Sequence, residues 1–148
     1  MSAPVIAPMS APIGDEALIA AALKASQNAY VPYSKFHVGA AILMSDGRMG
    51  TGANIENASY GLSICAETNA ITTLIAEAAG TIARVAVVAW PESDPQARVL
   101  ATPCGRCRQI IAEFAAPTAT LIVAYADGTV ALEVPTSELL PHPFTLDP

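Results

Sequence analysis

The sequence predicts a three-layer α/β/α fold, in which helices cover both faces of a mixed sheet of about five strands. A nearly continuous apolar run, Ile82 to Trp90, is typical of a central strand that is covered on both faces. Two hairpins are indicated by Asp46-Gly47 and Asp127-Gly128, which stand between strand-like segments. Helical periodicity recurs in the segments between them, so helices and strands share one layered domain.

The first half of the chain is expected to form one helix and the first hairpin. The segment Ile13 to Asn28 has helical periodicity, with Asp15 as a candidate cap. The strands of the hairpin are His37 to Ser45 and Arg48 to Ile55. Gly50 and Gly52 lie in the second strand and indicate a bulge or a close approach of another backbone.

The second half adds two longer helices, the central strand and the second hairpin. A helix is predicted from Ser63 to Ala79, with Gly80 as its C-terminal cap. The remaining predicted elements are a helix, two strands and the start of a short helix, at Cys104–Phe114, Ala119–Ala126, Thr129–Val134 and Pro135.

The length of 148 residues suits one domain with a core. We predict a flexible tail over residues 1–13, rich in Ala, Pro and Ser and without the positive start of a signal peptide, and a single domain over 14–148. No apolar run approaches the roughly 20 residues that span a bilayer, so no membrane partner is expected.

Composition argues for a small ligand and for self-association. Apolar residues make up 53% of the chain and charged residues 14%, which favours an oligomer that hides further apolar surface. The net charge is -6, with seven Lys and Arg residues in all. Such a surface is poorly suited to a long phosphate backbone, so we expect a small molecule and no nucleic acid as the partner.

All three cysteines fall in two short segments that precede predicted helices. Cys104 and Cys107 are about 60° apart around a helix axis, so both sulfurs can reach one ion, and Cys65 can supply a third. Thiolates suit zinc, and three protein ligands without a fourth leave the open position of a catalytic site. An odd number of cysteines in this pattern also favours a reducing compartment, and hence a cytoplasmic location.

Glu67 is the candidate proton carrier, since a carboxylate beside a metal-activated water can take its proton and hand it on. On an ideal helix, however, positions 65 and 67 lie about 200° apart. Cys65 and Glu67 can therefore share a site only if the ion lies near the end of the helix.

Other interpretations of the cysteines stay open on the residues alone. A thioredoxin-like redox pair would leave Cys65 unexplained, and inert thiols would make the spacing a coincidence. A structural zinc would need a fourth ligand, for which neither His37 nor His142 is well placed.

Two polar side chains and an aromatic loop are candidate substrate contacts. Asn54 and Glu56 are two residues apart, so on an extended chain they face the same side and can bind a vicinal diol, or they can simply cap a polar loop. The loop Tyr30–Phe36 contains three aromatic residues, which can line a pocket for a flat ring or merely pack between a helix and a strand.

These residues together resemble the cytidine deaminase family. The motifs are Cys65-Ala66-Glu67, Asn54-Ile55-Glu56-Asn57, Pro103-Cys104-Gly105-Arg106-Cys107 and the segment around Phe36, and the resemblance covers nearly everything from Ala29 to Phe144. It implies a cytidine deaminase-like fold, one zinc per chain and a small homotetramer whose sites are completed by neighbouring subunits.

The resemblance also implies roles for individual residues. Zinc would be held by the three cysteines, with Glu67 as the proton carrier. The ribose hydroxyls would be bound by Asn54 and Glu56, and the pyrimidine would be contacted by Phe36 and by the backbone near Ala66. Neighbouring subunits would contribute Tyr60 and Phe144.

The reaction implied is hydrolytic deamination of cytidine and deoxycytidine in pyrimidine salvage, with release of ammonia. The alternative is a deaminase of another amino-heterocycle, such as a blasticidin S-type nucleoside antibiotic. Thr68 departs from the pattern, because many all-cysteine members have arginine there, which offsets thiolate charge. Either Arg106 or Arg108 is expected to replace it, or the helix dipoles suffice.

Overall fold

The structure is a computed structural model and describes residues 11–148. Its fold is built on one five-stranded sheet with strand order β2-β1-β3-β4-β5. Strands β3 and β4 run parallel, and every other neighbouring pair is antiparallel, so the predicted mixed sheet is confirmed. The helices and strands in chain order are α1 (Asp15–Ser26), β1 (Phe36–Met44), β2 (Met49–Ala53), α2 (Ala66–Glu77), β3 (Ile82–Pro91), α3 (Gly105–Phe114), β4 (Ala115–Ala124) and β5 (Val130–Pro135).

The central strand β3 divides the core into two layers. Its side chains alternate, so Val85 and Val87 join the core cluster with residues of α2 and α3, whereas Ala86 and Val88 join the cluster with residues of α1. All four are 1% exposed or less. The continuous apolar run of β3 thus reflects burial on both faces, and the three-layer prediction is confirmed.

The first helix begins differently from the prediction. Gly14 is the N-cap, and no side chain caps the helix, so the expectation that Asp15 would cap it is wrong. The carboxylate of Asp15 instead pairs with Arg84 of β3, whose guanidinium also donates to the Ile13 carbonyl. Ile13, the last residue of the predicted tail, is 8% exposed and packs in the cluster under α1; residues 1–10 lie outside the described part.

The second helix is shorter than predicted at both ends. It starts at Ala66 and ends at Glu77, with Ala78 as its C-cap in place of Gly80. Arg48 donates hydrogen bonds to the Leu74 and Ala78 carbonyls, which satisfies the end of the helix without a left-handed glycine. Strand β4 also begins four residues early, at Ala115, directly after α3.

Gly52 allows the start of α2 to lie directly on the sheet. A Cβ at this position would overlap the Ala66 carbonyl oxygen and lie 2.7 Å from the Ala70 nitrogen. Of the two expectations for this glycine, the close approach of a backbone is the one observed. The absence of a side chain here therefore places the first turn of α2 against β2.

Gly52→Ala is expected to lower the free energy of unfolding by about 3 kcal/mol, because the atoms it would strike are backbone atoms that cannot rotate away. Urea denaturation measures the change. Gly61→Ala is the control, since a Cβ at Gly61 meets no atom within 4 Å. Equal stabilities for the two variants would contradict this account of the packing.

Among residues 11–148, no helix combines the length and the apolar character that a membrane crossing requires.

Candidate active site

The starts of two helices bring the three thiols together. Cys65 is the N-cap of α2 and Cys104 the N-cap of α3, and both have extended backbone conformations. Cys107 lies in the first turn of α3 and is fully buried. The positive ends of two helix dipoles therefore point toward the sulfurs, an arrangement that favours thiolate over thiol.

The sulfur atoms form one compact group. All three lie within 4.8 Å of one another, and Cys65 Sγ is 3.7 Å from Cys104 Sγ. In the part of the chain that the structure describes, this is the only such cluster of possible metal-binding side chains. Three sulfur donors at this spacing suit a tetrahedral ion such as zinc and leave one position open.

The position of Cys65 removes the difficulty raised by its spacing from Glu67. The prediction that Cys65 would lie inside the helix is wrong, because α2 starts at Ala66, the residue after Cys65. The helical wheel therefore does not apply to its side chain. Glu67 is in the first turn, only 4% exposed, and lines the same cavity as Cys65 and Cys104.

That cavity has a volume of about 180 Å³ and lies against Val87 of β3. Several of the residues that line it were predicted as site residues, namely Phe36, Ala66, Glu67, Cys65 and Cys104. Ala101 and Thr102, from the loop between β3 and α3, also line it. We name this space the inner cavity.

A wider cavity of about 440 Å³, named the outer cavity, lies beside it. Asn54 and Cys65 line both, so the two spaces adjoin. Glu56 and Tyr60 line the outer cavity, as does Tyr33, whose ring lies edge-on to that of Tyr60 at 6.3 Å. The aromatic loop thus contributes Phe36 to the inner cavity and Tyr33 to the outer one.

Glu56 is held by the backbone of this loop, and Asn54 by the backbone at the start of β1. The Asn54 side chain accepts a hydrogen bond from Val38 N at 2.9 Å and donates one to the Phe36 carbonyl at 2.9 Å. Glu56 Oε2 accepts hydrogen bonds from the N–H groups of Tyr33 and Ser34. Hydrogen bonds from Ser34 and then Tyr33 hold the pKa of Glu56 below its usual range, so its carboxylate is charged at neutral pH.

The acidic groups in and beside the inner cavity have unusual pKa values. Burial raises the pKa of Glu67 to about 6, and the negative charge of Cys65 adds to this rise. The hydrogen bond from the Cys107 thiol, followed by that from Cys104, lowers the pKa of Cys65 to about 6, and the charge of Arg106 contributes. The same hydrogen bond to Cys65 raises the pKa of Cys107. Glu67 can thus exchange a proton near neutral pH.

Comparison with known proteins agrees with this arrangement. Residues 13–124 match the model of the family described as "Cytidine and deoxycytidylate deaminase zinc-binding region". The chain belongs to the cytidine deaminase family. It is 45% identical over 130 residues to a cytidine deaminase of Halalkalibacterium halodurans, an alignment that covers 88% of this chain and 93% of that protein.

Solved structures of the same family share the fold. The crystal structure of cytidine deaminase from Burkholderia pseudomallei superposes with a TM-score of 0.78 at 39% identity, covering 89% of this chain and all of the other. That from Mycobacterium leprae has a TM-score of 0.72 at 38% identity, covering 88% and 99%. The predicted fold class is confirmed by both.

Of the two residues predicted to contact the substrate of a neighbouring subunit, one lines a cavity of this cytidine deaminase site and the other does not. Tyr60 lines the outer cavity and is 79% exposed. Phe144 is 70% exposed and lines neither the inner nor the outer cavity. Its backbone is held in both directions by Gln109 of α3, which donates to the Phe144 carbonyl at 2.9 Å and accepts from its N–H at 3.0 Å.

Arg106 and Arg108, the candidates to replace the arginine that many family members have at the position of Thr68, differ in their contacts. Arg108 donates to the carbonyls of Pro103 and Leu139, so its guanidinium bonds to backbone oxygens. Arg106 is exposed and acts on Cys65 through its charge. Thr68 itself contacts the site, since its Oγ1 lies 3.5 Å from Cys107 Sγ. Sequence reasoning missed this contact.

His37 lies outside the thiol cluster, as expected from its position at a strand start. Its ring is stacked on Trp90 at 3.9 Å between centroids. One ring nitrogen is 3.1 Å from the Ser26 carbonyl and the other 3.1 Å from Glu92 Oε1. His37 thus links α1, β1 and the loop after β3.

Proposed function

We propose that this chain catalyses the hydrolytic deamination of cytidine and deoxycytidine to uridine and deoxyuridine, with release of ammonia. The observation that carries the proposal is the pair of adjoining cavities. The inner one is lined by a buried carboxylate and by two of the three clustered thiols, those of Cys65 and Cys104. The outer one presents an amide and a carboxylate suited to a sugar. The name "cytidine deaminase" of its relatives supports the same reaction.

Cys65, Cys104 and Cys107 would hold one zinc ion per chain. When bound, zinc would supply a water activated for attack at neutral pH. The two helix starts offset the charge of the thiolates that hold it. Cys65 and Cys104 line the inner cavity and Cys107 is buried, so two of the three thiols face the space that the substrate would enter.

Glu67 moves the protons of the reaction. Its carboxylate takes a proton from the attacking water and gives it to N3 of the pyrimidine. It then passes the second proton to the amino group on C4, which leaves as ammonia. A pKa of about 6 suits this role, because the same group must accept and donate near neutral pH.

The remaining residues orient the nucleoside. Phe36 packs against the pyrimidine in the inner cavity, and the backbone at Ala66 meets the polar edge of the base. In the outer cavity, Asn54 and Glu56 bind the ribose hydroxyls. Both Tyr33 and Ser34 donate to Glu56 Oε2, which leaves Oε1 available as an acceptor for a hydroxyl.

The active assembly is a homotetramer in this proposal. The backbone of Phe144 is held in place by Gln109, and its exposed ring lines neither cavity of its own chain, which suits a contribution to the site of a neighbour. The exposed apolar side chains around the outer cavity, which would be covered in the assembly, are Tyr30, Tyr33, Ile55, Tyr60 and Leu62.

Phe144→Ala is expected to raise KM for cytidine about 10-fold with little change in kcat or zinc content, because stacking of a base on an aromatic ring is lost. Steady-state kinetics measure this change. Leu146→Ala is the control, since Leu146 lies in the same tail and is 78% exposed. An unchanged KM in a Phe144→Ala variant that light scattering shows to be tetrameric would contradict the role of this ring.

Free thiols at a metal site fit a reducing compartment, so we place the protein in the cytoplasm, in pyrimidine salvage. Its substrate is a free nucleoside, and neither nucleic acid nor a membrane is a partner.

A substrate panel tests the proposed function. Ammonia release is measured from cytidine, deoxycytidine and blasticidin S with protein of known zinc content. The proposal predicts the highest kcat/KM for the two pyrimidine nucleosides. Good turnover of blasticidin S beside poor turnover of cytidine would favour the antibiotic deaminase instead, and zinc binding without ammonia release from any of them would indicate a binding module.

A further inference from the structure

The threonines of α2 use their hydroxyl groups in two different ways. Thr72 donates to the Thr68 carbonyl at 2.7 Å, and Thr73 donates to the Asn69 carbonyl at 2.8 Å. This bond to the carbonyl four residues earlier is the usual choice of a helical threonine. Thr68 departs from it, because its hydroxyl contacts the sulfur of Cys107 at 3.5 Å.

The contact of Thr68 is buried. Thr68 is 6% exposed and Cys107 is fully buried, so neither partner can exchange the other for bulk water. A buried hydroxyl without a partner is costly, which makes this contact the energetically required one for Thr68. A thiolate has no proton to give, so Thr68 is the donor whenever Cys107 is deprotonated.

Neither Arg106 nor Arg108 bonds to this sulfur, and the Glu67 carboxylate is an acceptor for the Cys107 thiol and cannot donate to a thiolate. Arg108 bonds to the Pro103 and Leu139 carbonyls, and its third contact is the Thr102 hydroxyl. Arg106 is exposed, and its charge acts on Cys65. Within residues 11–148, the side-chain donor that touches Cys107 from outside the cysteine cluster is therefore Thr68.

We propose that Thr68 is a positioning residue of the metal site, whose hydroxyl donates a hydrogen bond to the Cys107 thiolate and so slows the loss of zinc. This inference rests on the proposed function, since it assumes that the three cysteines hold zinc. Thr68 is neutral and leaves the total charge of the site unchanged. Its effect is confined to one sulfur, the one farthest from solvent.

The experiment follows transfer of zinc from the loaded, full-length protein to a chromogenic chelator. Thr68→Val keeps the shape and removes the hydroxyl, and we expect it to release zinc about 10-fold faster than the wild type, as outer hydrogen-bond partners of metal ligands commonly contribute. Thr73→Val is the matched control, because it removes a hydroxyl from the same helix that bonds only to backbone. It should release zinc at the wild-type rate.

A second pair of variants covers the case in which Thr68→Val folds poorly. Thr68→Ser and Thr68→Ala differ by one hydroxyl, and the serine variant is expected to hold zinc longer than the alanine variant. In the cobalt-substituted protein, loss of the hydrogen bond should move the thiolate-to-cobalt absorption to lower energy in Thr68→Val and leave it unchanged in Thr73→Val.

The outcomes separate this inference from the function on which it rests. Equal zinc release by wild type and Thr68→Val, or by the serine and alanine variants, in a protein that binds zinc and deaminates cytidine, would overturn the role of Thr68 alone. A wild-type protein that takes up no zinc would overturn the metal site and this inference together.

Discussion

Glu67→Gln is expected to lower kcat for cytidine by about 10³–10⁴-fold, the upper part of the range for a general acid–base group. The amide has nearly the shape of the carboxylate but carries no proton between water, N3 and the leaving amine. Because Glu67 is 4% exposed inside the inner cavity, bulk water cannot take over this transfer efficiently. KM and zinc content should change little, since no binding group is removed.

Steady-state kinetics and metal analysis of the same preparation test this expectation. Glu77→Gln is the control, because Glu77 is the last residue of α2 and is exposed. It should behave as the wild type. Near-normal turnover by Glu67→Gln would show that another group moves the protons.

Cys107→Ser is expected to weaken zinc binding by more than about 100-fold, because losing a ligand should cost more than losing one of its hydrogen-bond partners. Serine places a hydroxyl where the site requires a soft, charged sulfur, and the position is fully buried. Activity at low free zinc should fall in parallel with occupancy. Competition with a chelator gives the affinity.

The control for this variant is Ile111→Val, four residues further along α3 and also fully buried. It alters the packing of the same helix without touching a ligand, so zinc affinity should be retained. Full zinc occupancy of Cys107→Ser in the presence of the chelator would contradict the assignment of Cys107.

The layers of the fold were predictable because each rests on a local pattern. The alternation hidden within the run from Ile82 to Trp90 becomes visible only in the structure, where successive residues enter different core clusters. Boundaries were less predictable. Strand β4 starts at Ala115 because the parallel pairing of Ile82 with Ala115 extends the ladder, a contact between distant segments that no local pattern records.

In the candidate site, too, local patterns were predictable and contacts between distant segments were not. Spacing alone grouped the cysteines, and the structure brings their sulfurs within 4.8 Å. Placing Cys65 inside the helix was wrong, because α2 begins at Ala66 and Cys65 is its N-cap. The bond between Thr68 and Cys107 joins two helices, so it depended on how α2 and α3 pack and was beyond local reasoning.

The most direct measurement is the rate of ammonia release from cytidine as zinc is returned to the metal-free protein. The proposed function predicts a linear rise that ends at one zinc per chain, with one uridine formed for each ammonia. Full activity without zinc, or a loaded protein that releases no ammonia from cytidine, would contradict it.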